Sequence, residues 1–220
     1  MYIQTNTYEA KIKVYIRNTW DWLTVSLKKT DVDYIIHKCS DRKQCAPTLM
    51  KRGHQWFLDF PFEEKVKLND TNVFEQTVVA VDLGINSCAT VSVMRANGTI
   101  LCRRFLTLHK EQDSLTHAVN RIKKAQQNGN RKTPRLWAKT KGINDDIAVK
   151  TAKFIIDTAV SYKANVIVFE HLNLKGEKKG SKKQMLHLWK SQYVQNMVAK
   201  KAHRLSMRVS RICAWGTSKL

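Results

Sequence analysis

Two apolar runs, each closed by a carboxylate, constrain this chain more than any other feature. Val78-Val79-Ala80-Val81 runs into Asp82, Leu83 and Gly84, and Asn165-Val166-Ile167-Val168-Phe169 runs into Glu170. Apolar residues in unbroken succession, without polar alternation, suit a strand buried on both faces of a sheet. A carboxylate at the tip of such a strand sits where desolvation is costly, so a cation or hydrogen bonds must compensate it. Two such tips on neighbouring core strands would make a divalent-metal site.

A chain of 220 residues, 43% of them hydrophobic, can bury a sizeable core and has room for one or two domains. Its 39 Lys and Arg against 18 Asp and Glu leave a charge of +21, a self-repulsion that a polyanion would neutralise, so nucleic acid is the leading partner. The charge is uneven: eleven of the 18 acids lie at or before Asp82, and after Glu170 only Glu177 opposes twelve Lys and Arg. Five cysteines, odd in number and without a CxxC pair, read as reduced thiols rather than as a secreted disulfide framework. No apolar run approaches the ~18 to 20 residues that cross a bilayer, and no signal-peptide core opens the chain. The expectation is a soluble protein of the cytoplasm with no membrane partner.

Along the chain, residues 8–62 read as β structure, a small antiparallel barrel or sheet, and residues 65–75 as a charged linker. The expected domains are 1–72 and 73–220. The second opens on the strand ending at Asp82. Runs at 88–94 and 100–106 flank Ala96-Asn97-Gly98, whose Asn-Gly pair predicts a two-residue type I′ turn. Residues 114–144 hold eight Lys and Arg and no acid, which predicts a basic helix, a loop and a helix start. Ala148, Ala152, Ile155, Ala159 and Tyr162 then fall at helical spacing, with Asn144 as N-cap and Asp145 and Asp146 in the first turn. After the Glu170 strand come a lysine-rich loop, an amphipathic helix through Val194, Val198, Ala202, Leu205 and Val209, and a last strand at 211–215. No internal repeat is present. The order β-β-β-α-β-α-β is that of the ribonuclease-H-like α/β fold, a mixed sheet with helices packed on it.

In that topology the first strand lies beside the strand after the first long helix, so Asp82 and Glu170 would converge. Cleaving a phosphodiester needs an activated water and a stabilised leaving oxygen, which two Mg²⁺ ions roughly 4 Å apart can provide. Carboxylates suit Mg²⁺ better than thiols or imidazoles do. Gly84 would let the backbone turn away after Asp82 and leave room for substrate. Alternatively, Asp82 caps a turn and Glu170 pairs with a lysine. Arg121, Lys123, Lys124, Arg131, Lys132, Arg135, Lys139 and Lys141 can track a phosphate backbone by counterion release. Lys175, Lys178, Lys179, Lys182 and Lys183 would stand at the mouth of the site. Trp20, Trp22, Trp56 and Phe57 could stack on bases, but the expectation is that they fill a barrel core, as Trp189 and Tyr193 fill the second core. His171 reads as a surface residue, Asp157 as part of a solvated helix face, and no zinc site is expected from seven scattered histidines.

These residues also carry a family resemblance. Val79-Ala80-Val81-Asp82-Leu83-Gly84-Ile85, with Ala89-Thr90, resembles the first RuvC motif of the TnpB (OrfB) proteins of bacterial insertion sequences, relatives of type V CRISPR effector nucleases. Ile167-Val168-Phe169-Glu170-His171-Leu172-Asn173-Leu174-Lys175-Gly176 resembles the second, with His171 in place of the common Asp. Trp215-Gly216-Thr217-Ser218-Lys219 resembles the approach to the family's zinc ribbon. The resemblance implies an RNA-guided DNA endonuclease, of a kind long called transposases, acting in transposition and DNA recombination. It further implies Mg²⁺ as cofactor, DNA and guide RNA as partners, a location with the bacterial nucleoid, and Asp82 and Glu170 as catalytic metal ligands. A wedge β-barrel would precede the RuvC-like domain. The family's zinc ribbon and its third acid have no counterpart in this sequence, so the expectation is a partial family member, impaired in cleavage. Two alternatives stand beside it: a non-catalytic nucleic-acid-binding module, and an actin-like ATPase, whose first phosphate loop also follows a strand with Asp-Leu-Gly.

Overall fold

A computed structural model of the chain describes residues 2–130, 132–171 and 188–213. They form two compact units, residues 1–65 and 66–220. The first holds β1 (Tyr2–Asn6), β2 (Glu9–Ile16) and β3 (Thr19–Ser26) as one antiparallel sheet, then α1 (Lys29–Cys39). Two further ladders follow, β4 (Lys43–Gln44) with β7 (Phe62–Glu63) and β5 (Thr48–Arg52) with β6 (Gln55–Asp59). The ladders are separate sheets, with no closed barrel among the described residues.

A helix inside this β-like stretch departs from the sequence reading. Val32, Ile35 and Cys39 lie three and four residues apart, one helical stripe, and Val32 and Cys39 are buried. The tight type I′ hairpin also sits where it was not expected. Arg17 and Asn18 both take positive φ, 49° and 64°, between the paired residues Ile16 and Thr19. At Ala96-Asn97-Gly98 only Gly98 is left-handed, and Arg95 N–H donates to Thr99 O at 2.9 Å. That turn is therefore a three-residue loop with a glycine bulge, not type I′.

The second unit is built on a five-stranded sheet. After a short 3₁₀ turn (Val73–Glu75) come β8 (Thr77–Asp82), β9 (Ala89–Arg95), β10 (Ile100–Leu106), α2 (His109–Gln127) and α3 (Pro134–Ser161). Then follow β11 (Val166–His171), α4 (Ser191–Arg204) and β12 (Arg208–Cys213). Strand order is β10-β9-β8-β11-β12, with β8 and β12 parallel to β11 and the β8–β9–β10 meander antiparallel. The segment read as a linker is partly tied down here: Asn69 N–H donates to Ser206 O at 2.8 Å and Asp70 pairs with Arg208 at 3.3 Å.

Residues of one parity on the strands, Val79, Val81, Val91, Val93, Ile167 and Phe169, pack with Ala148, Ala152, Ile155 and Ala159 of α3 and Val194, Val198 and Ala202 of α4 in one core. Small residues along α3 let it lie close to the sheet. Its buried hydroxyls, Thr140, Thr151 and Thr158, each donate to the carbonyl four residues back at 2.7 to 2.9 Å, so their burial leaves no polar atom unmet. α3 starts a full ten residues before the expected N-cap: Pro134 occupies the first turn, where its missing N–H costs nothing. Asn144 is thus mid-helix and buried, donating to Leu188 O at 2.6 Å, while Asp145 pairs with Lys190 and Asp146 with Lys150 at 2.7 Å. Gly129, at φ 82°, closes α2 as its left-handed cap. The last strand begins earlier than expected, so Val209 belongs to β12 rather than to the helix before it.

Several aromatic expectations fail. Trp20 is 63% exposed, Trp22 37%, Trp56 64% and Phe57 37%, so none fills a core. Trp189 does pack against the second core, but Tyr193 is exposed. All five cysteines are free thiols.

Candidate functional site

Asp82 and Glu170 meet because three strands start in step. Asn165 Oδ1 accepts from Thr77 N–H, its own N–H donates to Thr77 O, and its carbonyl accepts from Arg208 N–H, each at 2.9 Å. This staple ties the starts of β8, β11 and β12 together. From it the register runs Val166 beside Val78 up to Phe169 beside Val81, so the next rung sets Glu170 beside Asp82. Adjacent strands lie ~4.8 Å apart, which brings the two backbones that close. Both acids have the parity of Val78, Ala80, Val166 and Val168, opposite to the residues in the core, so they share one face at the same end of the sheet.

The electrostatics register this proximity. Asp82 reaches solvent, yet partial desolvation of its carboxyl pushes its pKa up, and the Glu170 charge pushes it further. Among the described residues no third His, Cys, Asp or Glu joins the pair as a cluster able to hold a metal ion. Oxygen donors alone fit a hard cation such as Mg²⁺, which takes one or two carboxylates and keeps several waters. The strain on Asp82 is what a bound cation would relieve. The described residues therefore fit one such ion and leave the expected second without a protein ligand of its own.

The loop between β8 and β9 is fixed by residues the sequence reading passed over. Gln112, in the first turn of α2, donates through Nε2 to Ile85 O at 2.8 Å and Asn86 O at 3.0 Å. A Cβ on Gly84 would stand 2.7 Å from Ser87 O, so the glycine is required by the tight loop; the space beside it belongs to Ser87 rather than to substrate. On the other strand, buried Gln195 of α4 donates to Glu170 O at 3.1 Å and accepts from Arg211 Nε at 3.0 Å. An amide on the stripe with Val194 and Val198 was the available signal for Gln195. His171 and Asp157 are exposed, as expected.

The basic residues divide. Arg121, Lys123, Lys124, Lys132, Arg135, Lys139 and Lys141 are all exposed, and none has an acidic partner among the described residues. Arg121 and Lys139 are brought together with Ser114 and His117 around a cleft of about 620 Å³ between α2 and α3. Arg121 is nine residues along α2 from Gln112, roughly 14 Å at the helical rise. Arg131, Lys175, Lys178, Lys179, Lys182 and Lys183 lie outside the described residues, as do residues 172–176 of the second motif and 215–219 of the third. No described helix is long and apolar enough to cross a membrane.

Comparison with known proteins places this geometry in a family. The chain is similar to Cas12f1 as solved by cryo-EM in a Cas12f1–sgRNA–target DNA complex, at a TM-score of 0.63 and 12% identity, over 93% of this chain and 50% of that one. The likeness establishes a shared fold, and the chain spans half the length of that protein. A chain of the PilM–PilN type IV pilus biogenesis complex aligns at a TM-score of 0.35 and 12% identity, over 63% of this chain and 36% of that one, too weak a likeness to argue from. No curated protein matches by sequence. The family model OrfB_IS605, described as probable transposase, matches residues 60–180, more than half of the sequence and both acid-tipped strands. This chain belongs to the OrfB_IS605 family of probable transposases.

Proposed function

We propose that the chain is a TnpB-like nucleic-acid-binding protein with a ribonuclease-H-like, RuvC-type nuclease core, in which Asp82 and Glu170 hold Mg²⁺ against a phosphodiester. The observation that carries this reading is the meeting of two carboxylates, remote in sequence, at one end of adjacent parallel strands, with Asp82 raised in pKa by burial and by Glu170. When bound, a divalent ion supplies Lewis-acid stabilisation of the charge that develops on a phosphodiester. The chain's own residues bind and orient. Asp82 and Glu170 present oxygen donors on one face, Gln112 and Gly84 fix the loop beside Asp82, and Gln195 fixes the end of β11.

The exposed bases of α2 and α3 hold the polyanion, and residues 1–72 serve as the wedge-like part that accompanies the nuclease core. Likeness to a protein solved with sgRNA and target DNA supports guide RNA and DNA as the partners, and a DNA partner would put its action at the nucleoid. Cleavage by this chain alone is weak, because no third acid stands with the pair among the described residues.

The test combines binding and cleavage. Wild type is expected to bind RNA and DNA with a steep salt dependence, and Arg121→Gln with Lys139→Gln to lower the slope of log K against log[salt] by about two. Any Mg²⁺-dependent nicking of plasmid is expected to be slow, and to vanish in Asp82→Ala while binding persists. Nicking that survives Asp82→Ala, or a wild type that binds neither nucleic acid, contradicts the reading.

A further inference from the structure

The exposed face of the β2–β3 hairpin carries an arrangement that the acid site and the basic helices do not use. On β2, Lys11, Lys13 and Tyr15 have one parity; opposite them on β3 stand Thr24, Trp22 and Trp20, in register Lys11 to Thr24, Lys13 to Trp22 and Tyr15 to Trp20. The other face of the hairpin holds the buried Ala10 and Ile12, so the aromatic face is the outer one. Tyr15 is 60% exposed and Trp20 still more so. Their ring centroids lie 5.4 Å apart at an interplanar angle of 59°, a tilted contact that leaves both rings open to solvent. Lys13 Nζ stands 6.0 Å over the ring of Trp22.

A single exposed tryptophan needs no explanation, but three aromatic neighbours on one sheet face mark a binding surface. Its charge says what kind. Lys13 lies over the Trp22 ring, Lys11 is its neighbour on the same face, and Arg17 sits in the turn that joins the two strands. Asp21 has the other parity, opposite Val14, with its Oδ1 accepting from Trp22 N–H at 2.7 Å, and Glu9 stands at the far end of the strand, where Asn6 Nδ2 donates to it at 2.9 Å. Rings for π-stacking, a cation over one of them, and no acid in register with the rings fit a chain of flat, negatively linked units.

We infer that this face stacks the unpaired bases of a single-stranded nucleic acid, with Lys11, Lys13 and Arg17 along its phosphates. Trp20 and Trp22 are two residues apart on one strand, ~7 Å. Bases within a duplex strand rise only about 3.4 Å and hide their faces against each other. Successive bases must therefore be splayed to lie on the two rings, which selects single strands over duplexes. The inference takes from the proposed function only the class of partner.

The test measures affinity of the full-length chain for fluorescein-labelled U20, dT20 and a 20-base-pair DNA duplex at fixed salt. Trp20→Ala with Trp22→Ala is expected to weaken binding to the single strands at least about ten-fold and to the duplex less than about two-fold, with Trp20→Phe and Trp22→Phe restoring most of the loss. Comparing U20 with dT20 tells RNA from DNA. A 5-bromouridine-labelled strand is expected to crosslink to Trp20 or Trp22 of unaltered protein, a check that needs no variant. Equal loss on single strand and duplex, unchanged binding, or crosslinks only elsewhere overturns the inference while leaving the nuclease reading intact. So does a dimer of wild type that the Ala variant breaks without losing single-strand affinity. A wild type that binds no nucleic acid overturns both.

Discussion

Asp82 is the residue on which the most physics converges. Its carboxyl is raised above the ordinary value of 3.8, first by burial and then by the neighbouring Glu170 charge. A group that holds its proton more tightly in the folded chain stabilises the fold most when protonated. That contribution is full below the ordinary value and is lost as pH rises through the folded one. In metal-free protein with EDTA, Asp82→Asn is therefore expected to raise Tm at pH 7, by at most about 2–4 °C for a chain of this size, with the difference shrinking towards zero below pH 3.8. Thermal unfolding across pH checks it, and a variant less stable at pH 7 than wild type would mean that Asp82's charge is satisfied within the protein. At this scale the sequence was informative about the acids and silent about their supports. An apolar run ending in a carboxylate is visible in one dimension, whereas Gln112 and Gln195 act through contacts to backbone 26 and 25 residues away.

Among the elements, the β8–β11 pair does the positioning, and Asn165 sets its register through two hydrogen bonds to Thr77 at 2.9 Å, one from its N–H and one to its Oδ1. Asn165→Ala would leave the Thr77 N–H without its acceptor in a part-buried setting, and is expected to cost about 1–3 kcal/mol in urea unfolding. A loss within about 0.5 kcal/mol would show that the strand starts are held by the ladders alone. Strands β8, β9 and β11 and helices α3 and α4 were readable because their apolar faces bury in one core. What failed were terminations and turns. α3 runs through a stretch whose acids at 145 and 146 imitate a helix start, because Lys190 and Lys150 neutralise them in the helix interior. The left-handed residues at Arg17 and Asn18 carry no glycine to announce them. α1 was hidden by the β-rich run around it, although its stripe of Val32, Ile35 and Cys39 was present.

For the molecule as a whole, a charge of +21 narrowed the expected partner to a polyanion, and the order of strands and helices pointed to the α/β sheet that the fold contains. The tryptophans show where composition misleads: aromatic density in a small β unit suggests a core, and only exposure reveals that Trp20, Trp22 and Trp56 face water. A cation shared by Asp82 and Glu170, 88 residues apart in sequence, is what the proposed function requires. The most direct measurement is Tm at pH 7 as Mg²⁺ is titrated into wild type and into Asp82→Asn with Glu170→Gln. A ligand bound only by the folded state stabilises it by mass action, about 2.7 kcal/mol at one hundred times Kd. Wild type is predicted to gain several degrees at saturating Mg²⁺ and the double variant nothing. An equal shift in both proteins, or none in wild type, would contradict a shared metal site at Asp82 and Glu170.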